Sequence, residues 1–170
     1  MNLDKKTLLN ILEEKKIPYK MYNHEPLYTV EDSFMKRGQI DGAHTKNLFL
    51  KNKKNNFYLF SCLESTSVDL KNLRKKLEMG NISFAKKEYL KEMLGVLPGA
   101  VTPFGLLNDT NEEIKFYLDK KLLLYDKINF HPLENTSTVS LITKDFIYFM
   151  KMNNKLVNIY NFDNYSTENI

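Results

Sequence analysis

Three short segments of this chain carry residue types that could hold an anion, a water or an oxyanion. The first is Gly99-Ala100-Val101-Thr102-Pro103-Phe104-Gly105-Leu106-Leu107-Asn108-Asp109. Glycine permits positive φ and close approach of backbone to a ligand, and proline freezes the turn. Such a loop can aim several N–H groups at one small volume and stabilise negative charge without a charged side chain. The second is Lys46-Asn47, at the start of an apolar run after Gly42-Ala43-His44-Thr45. A lysine at a strand end can take a phosphate, and asparagine offers both a donor and an acceptor. The third is Phe130-His131-Pro132-Leu133-Glu134-Asn135-Thr136-Ser137-Thr138. His131 could act as a general base or as a hydrogen-bonding group that shapes a pocket. A lone histidine is more often structural, so pocket lining is the favoured role. Asn135 and Thr138 are expected to hold the turn.

Each segment also has a bland reading. A Gly-x-x-x-Pro alone is an ordinary surface turn. Lys46 alone is one more solvated lysine.

Other chemistries are poorly supported. His24, His44 and His131 are scattered, and Cys62 is the single cysteine, so neither a disulfide nor a zinc site is expected. There is no phosphate loop, dinucleotide fingerprint or Gly-x-Ser-x-Gly elbow. No cofactor is expected. No run of about 18–20 apolar residues is present, so no membrane partner is expected. The N-terminal segment has no signal-like apolar core, which makes the cytoplasm the expected compartment.

At 170 residues the chain fits one domain. Net charge is +4, which permits an anionic partner without demanding one. Of 25 basic residues only Arg37 and Arg74 are arginine, so phosphate contacts would be mostly point-charge contacts.

Several elements must position these segments. Asp4 to Lys16 reads as a helix stopped by Pro18. Tyr19 to Tyr22 is a strand, and His24-Glu25-Pro26 a turn. Thr29 is expected to cap a helix from Glu31 to Arg37, with Asp32 at its third position. Thr45–Lys51 and Phe57–Cys62 form a hairpin around Asn52-Lys53-Lys54-Asn55-Asn56. Asp69 to Glu78 is helical, Ile82 to Ala85 a short strand, and Lys86 to Leu94 a helix. Gly95 to Gly105 is a loop. Ile114 to Leu118, Ile128 to His131, Ser137 to Ile142 and Leu156 to Tyr160 are extended. Lys121 to Asp126 is ambiguous. Thr143 is expected to cap a helix, Lys144 to Met152. The order is mixed, which predicts an α+β or mixed α/β layer fold. One domain over residues 1–162 is expected, followed by a loose polar tail, 163–170.

The Thr45–Lys51 strand, the Gly99–Asp109 loop and the Phe130–Thr138 segment together resemble the YbaK/ProX family. These are free-standing relatives of the editing domain of prolyl-tRNA synthetase. The segment His24-Glu25-Pro26-Leu27-Tyr28-Thr29-Val30-Glu31-Asp32 resembles the family's His-x-Pro-x-x-Thr-Val-Glu-Glu run. The resemblance spans Leu8 to Tyr160. Thr102-Pro103-Phe104-Gly105 and His131-Pro132 are similar to the ProX (PrdX-like) branch, which clears alanine from tRNA(Pro). The cysteine-specific branch usually has a Ser-Pro-Leu-Gly loop.

The resemblance implies a central mixed, partly barrel-like sheet flanked by helices. It implies an aminoacyl-tRNA deacylase acting on mischarged Ala-tRNA(Pro). Lys46, Gly99, Thr102 and Pro103 are the implied catalytic positions. Val30, Asn47, Ala100, Val101, Phe104, Gly105 and His131 are the implied substrate contacts. Mischarged tRNA(Pro) and prolyl-tRNA synthetase are the implied partners, with no DNA. Two rival readings share these residues: the same fold acting on Cys-, Ser- or Thr-charged tRNA, and a non-catalytic binding module.

Overall fold

A computed structural model describes residues 3–29, 31 and 35–168. Helix α1 (Lys5–Glu14) starts at Asp4, whose carboxylate accepts from the Thr7 N–H at 2.8 Å. Its apolar stripe buries Leu8 and Leu12. Strand β1 (Tyr19–Asn23) follows, and then the β2–β3 hairpin (Ala43–Asn52 and Phe57–Leu63). The Asn52 side chain closes that hairpin by accepting from the Lys54 and Asn56 N–H groups. Helix α2 (Leu70–Lys76) is capped by Asp69. Edge strand β4 (Ile82–Phe84) comes next. Then follow β5 (Ile114–Asp119), β6 (Lys127–Phe130), β7 (Ser137–Ile142), α3 (Thr143–Met152), β8 (Asn158–Asn161) and β9 (Ser166–Glu168).

The strands form one mixed sheet in the order β1-β7-β6-β2-β3-β5-β8-β9, with β4 also on β2. Pairs β2–β6, β3–β5 and β5–β8 are parallel; the others are antiparallel. The mixed α+β class expected from the sequence is therefore the fold. The larger apolar cluster packs α1 and α3 with Phe104, Phe116 and Phe130. A second cluster on the other side holds Leu50, Phe60, Cys62, Leu73 and Tyr160.

Strand β2 is where the sheet divides. One edge pairs with β3 from Thr45 to Lys51. The other edge pairs with β6 only at Ala43 and His44, and with β4 only from Leu50 to Asn52. Between those two short pairings, about residues 45–49, this edge has no strand partner among the described residues. A strand edge left open in this way presents side chains and backbone polar groups to whatever fills the gap.

Several local expectations change. Thr143 does not cap its helix but lies inside it, and its hydroxyl donates to the Tyr125 carbonyl at 2.6 Å. The expected helix from Lys86 is a single α-turn, Lys87–Tyr89, running into a π-turn, Leu90–Leu94, that ends at left-handed Gly95. The end of the Gly95–Gly105 loop opens a 3₁₀ helix, Pro103–Asn108, and Lys120–Leu124 is another. The polar tail is not loose through residue 168: β9 pairs antiparallel with β8. Glu31, Met35 and Lys36 are helical, whereas Asp32 lies outside the described residues.

Candidate functional site

The gap in the β2 edge opens into a cleft of about 430 Å³, walled by Leu27–Thr29, Thr45–Asn47, Gly99, Val101 and His131. Segments far apart in the chain thus converge on one volume. Asn47 shares a strand face with Thr45, because side chains alternate along β2. Its Nδ2 donates to the Val101 carbonyl at 2.9 Å, and its Oδ1 accepts from the Ser61 hydroxyl at 2.6 Å. Asn47 therefore ties the glycine loop to the hairpin. The Thr45 hydroxyl donates to the Asn129 carbonyl at 2.7 Å and fastens β2 to β6 where their backbone pairing stops. Lys46 points to the opposite strand face. It still borders the cleft, and its ammonium donates to the Thr66 carbonyl.

Gly99 is closely packed within the site. It has φ +89°, and a Cβ there would stand 3.1 Å from Asn135 Nδ2, 3.1 Å from Tyr28 Cδ1 and 3.3 Å from the Leu27 carbonyl oxygen. The Leu27 backbone is clamped by residue 135: its N–H donates to the Asn135 carbonyl, and its carbonyl accepts from Asn135 Nδ2. Asn135 thus holds backbone, as the sequence suggests. Val30 lies outside the described residues, but Leu27–Thr29 just before it line the cleft.

The rest of the loop turns inward. Ala100 is 3% exposed, and its N–H is bonded to the Leu97 carbonyl at 3.0 Å. Thr102 is fully buried and its hydroxyl accepts from the Phe104 N–H, so it caps the 3₁₀ helix. Pro103 is buried with it. Phe104 meets Phe130, Phe146 and Phe149 edge-to-face, with ring centroids 5.9–6.0 Å apart. Gly105 passes under the helix before it, where a Cβ would lie 2.9 Å from the Leu94 carbonyl. The structure does not bring Thr102, Pro103, Phe104 or Gly105 to the cleft with Gly99 and Val101. They form the base that holds the loop. Apolar burial decides this, since Phe104 fills the middle of the aromatic cluster.

The His131 Nδ1 lies 3.0 Å from the Ser137 carbonyl. A carbonyl only accepts, so Nδ1 carries the proton and Nε2 of the neutral ring is an acceptor. Burial pushes the ring below the usual histidine range, while the Ser137 carbonyl pulls the other way. The His24 ring lies 6.1 Å away, its Nδ1 on the Glu25 carbonyl and its Nε2 on the Thr138 hydroxyl.

Two site residues were not identified from the sequence. Arg37 grips Glu64 with both terminal nitrogens, at 2.7 and 2.9 Å. That hydrogen-bonded pairing holds the Glu64 carboxyl below its ordinary range, against the opposing effect of burial. The only sequence signal was that Arg37 is one of two arginines among so many lysines. The Arg37 Nε is buried and has no hydrogen-bond partner among the described residues. His44, beside Arg37, donates through Nε2 to the Ile40 carbonyl at 2.7 Å and is pushed down by burial. Cys62 is buried, and burial pushes its thiol up to about 12, which leaves it inert as a nucleophile. Among the described residues no three His, Cys, Asp or Glu side chains gather as a metal site would need.

Comparison with known proteins bears on this geometry. The model of the aminoacyl-tRNA editing domain matches residues 24–149, a span that includes all the cleft segments. The chain is 35% identical over 157 residues to the prolyl-tRNA editing protein ProX of Acetoanaerobium sticklandii, covering 90% of this chain and 94% of that one. It is 37% identical over 145 residues to the mouse (Mus musculus) prolyl-tRNA synthetase associated domain-containing protein 1, covering 82% and 85%. A solved structure described as a candidate trans-editing enzyme for prolyl tRNA synthetase superposes with a TM-score of 0.66 at 20% identity, over 92% and 96% of the two chains. Sequence and fold agree, and the chain belongs to the aminoacyl-tRNA editing domain family.

Proposed function

We propose that this protein is a trans-editing deacylase that hydrolyses the ester of Ala-tRNA(Pro). The observation that carries the reading is the meeting of Asn47, Gly99, Val101 and His131 at one cleft, in a chain of the editing family. The names of the relatives support a prolyl-tRNA substrate and a prolyl-tRNA synthetase partner. Among the described residues no helix is long and apolar enough to cross a membrane, which suits work on tRNA in the cytoplasm.

The chemistry follows from what the cleft offers. Water oxygen adds to the ester carbonyl carbon, and the carbon–oxygen bond to the terminal ribose breaks. One proton of the water passes to the ribose oxygen, the other is released to solvent, and alanine leaves as its carboxylate. The N–H groups of Ala100, Phe104 and Gly105 are bonded inside the loop. Oxyanion stabilisation therefore falls to the backbone of Gly99 and Val101. Lys46, on the other strand face at the border of the cleft, anchors the 3′ end. Neutral His131 accepts at Nε2 from a ribose hydroxyl or the water and orients it; the substrate's own hydroxyl assists the proton transfer. Such a site works by placement and pre-organised dipoles, without a strong acid–base pair.

The substrate choice has a physical reason. A synthetase pocket for proline rejects smaller alanine weakly, because a missing methylene is worth about 1–3 kcal/mol. A narrow second pocket accepts alanine and shuts out proline by size. Single-turnover deacylation of Ala-, Cys-, Ser-, Thr- and Pro-charged tRNA, with Lys46→Ala alongside, tests this. Loss of alanine with proline retained, abolished in the variant, is expected. Retention of every amino acid by the wild-type protein would remove the deacylase reading.

A further inference from the structure

The cleft does not end at its mouth. Phe84 on β4 lines both the cleft and an adjoining groove of about 340 Å³. That groove is walled by Lys51, Lys53, Lys86 and Tyr89, and no acidic side chain lines it among the described residues. The Lys51 ammonium stands 4.6 Å from the Tyr89 ring centroid, which holds it along the groove wall. Phe84 itself is 60% exposed, on an edge strand where it pairs with Leu50 of β2. Leu50 lies three residue steps beyond Asn47 on β2, so Phe84 stands roughly 10 Å along the strand from Asn47. Tyr28, which lines the same cleft, is 68% exposed.

An exposed ring at the junction of an ester site and a lysine-lined groove is the pattern of a single-strand binding path. Lysines follow the phosphates, and a flat ring takes a base face without regard to sequence. We propose that Phe84 stacks on an unpaired base of the tRNA 3′ end as it leaves the cleft, and that Lys51, Lys53 and Lys86 carry that strand's phosphates. This rests on the deacylase reading for the position of the terminal ribose.

The test is binding by fluorescence anisotropy, over a range of salt concentrations. The probes are a labelled RNA hairpin with an unpaired 3′-ACCA end and the same hairpin made blunt. Phe84→Ala and Phe84→Leu should each weaken the overhang complex about tenfold, within the range for loss of one base–aromatic stack. Phe84→Tyr should restore it, and the blunt hairpin should be unaffected by all three. The double variant Lys53→Ala/Lys86→Ala should reduce the logarithmic salt slope by about 1.4. Undiminished affinity in Phe84→Ala and Phe84→Leu, or an equal loss on the blunt hairpin, would overturn the stacking role. An unchanged salt slope would overturn the phosphate path. Failure of the deacylase reading shows separately, as wild-type protein inert towards charged tRNA while binding still depends on Phe84.

Discussion

A methyl group at Gly99 meets two obstacles at once: a left-handed backbone and an amide, a ring and a carbonyl within 3.3 Å. The backbone conformation alone costs about 1–2 kcal/mol for an L side chain. Gly99→Ala should therefore lower the melting temperature by roughly 2–8 °C. It should lower deacylation much more, about 10²-fold, because the loop shifts against the reacting ester. Thermal melts and single-turnover rates on one preparation check both. His131 makes a pH prediction. Burial holds His131 and His44 below the usual value in the folded state. Below about pH 6.5 the unfolded chain gains protons that the folded one refuses, so stability is full above that pH and falls as pH drops beneath it. His131→Asn keeps a donor for the Ser137 carbonyl and removes the titrating ring, so its melts should show a shallower loss between about pH 6.5 and 5. Wild-type activity should hold steady down to about pH 6.5 and decline only further below, as Nε2 takes up a proton.

Among the elements, β2 does the positioning. Its open stretch exists because β6 leaves after His44 and β4 joins only at Leu50. The hairpin holds that stretch in register, Asn47 opposite Ser61, and the Asn47 side chain reaches across to the loop. Asn47→Ala leaves the Val101 carbonyl and the Ser61 hydroxyl without this partner. An unmet buried polar group costs about 1–3 kcal/mol. The expected result is a folded, less stable protein whose kcat falls at least tenfold while KM changes little, because the loop is released and substrate anchoring is untouched. Ser61→Ala removes one bond of the pair and should cost less in both readouts. Equal kcat in Asn47→Ala and wild type would show that the loop holds its shape without β2.

Over the whole molecule, the loop base belongs to the core. Phe104 is fully buried among Phe130, Phe146 and Phe149. Phe104→Ala should cost about 3–5 kcal/mol of stability, as large-to-small changes at buried aromatics do. Denaturant unfolding measures it. A substrate-contacting Phe104, as the family resemblance implies, would instead raise KM and leave stability intact, so the two roles separate in one variant. The same core should make the chain sensitive to substitutions far from the cleft. The larger cluster joins α1, α3 and the 3₁₀ helix to the sheet, so a void there loosens the loop that carries Gly99.

Much of the local structure is written in short stretches of sequence. Asp4 and Asp69 start helices, the polar run 53–56 joins a hairpin, and alternation marks Ile114–Leu118, because capping, turns and side-chain periodicity depend on near neighbours. The motif residues around 46, 99 and 131 likewise picked out segments that the fold brings to one cleft. Local pattern could not say which way the loop residues face. Thr102 to Gly105 look like a ligand loop by type, yet the aromatic cluster claims Phe104 and draws its neighbours inward. Nor could it pair Arg37 with Glu64, give His131 its acceptor nitrogen, or set Lys46 on the strand face opposite Asn47 with its ammonium on the Thr66 carbonyl. Those outcomes rest on contacts between segments distant in the chain, as between Asn47 and Val101 or Leu27 and Asn135. Sheet register and core packing choose such contacts together, and no single segment encodes them.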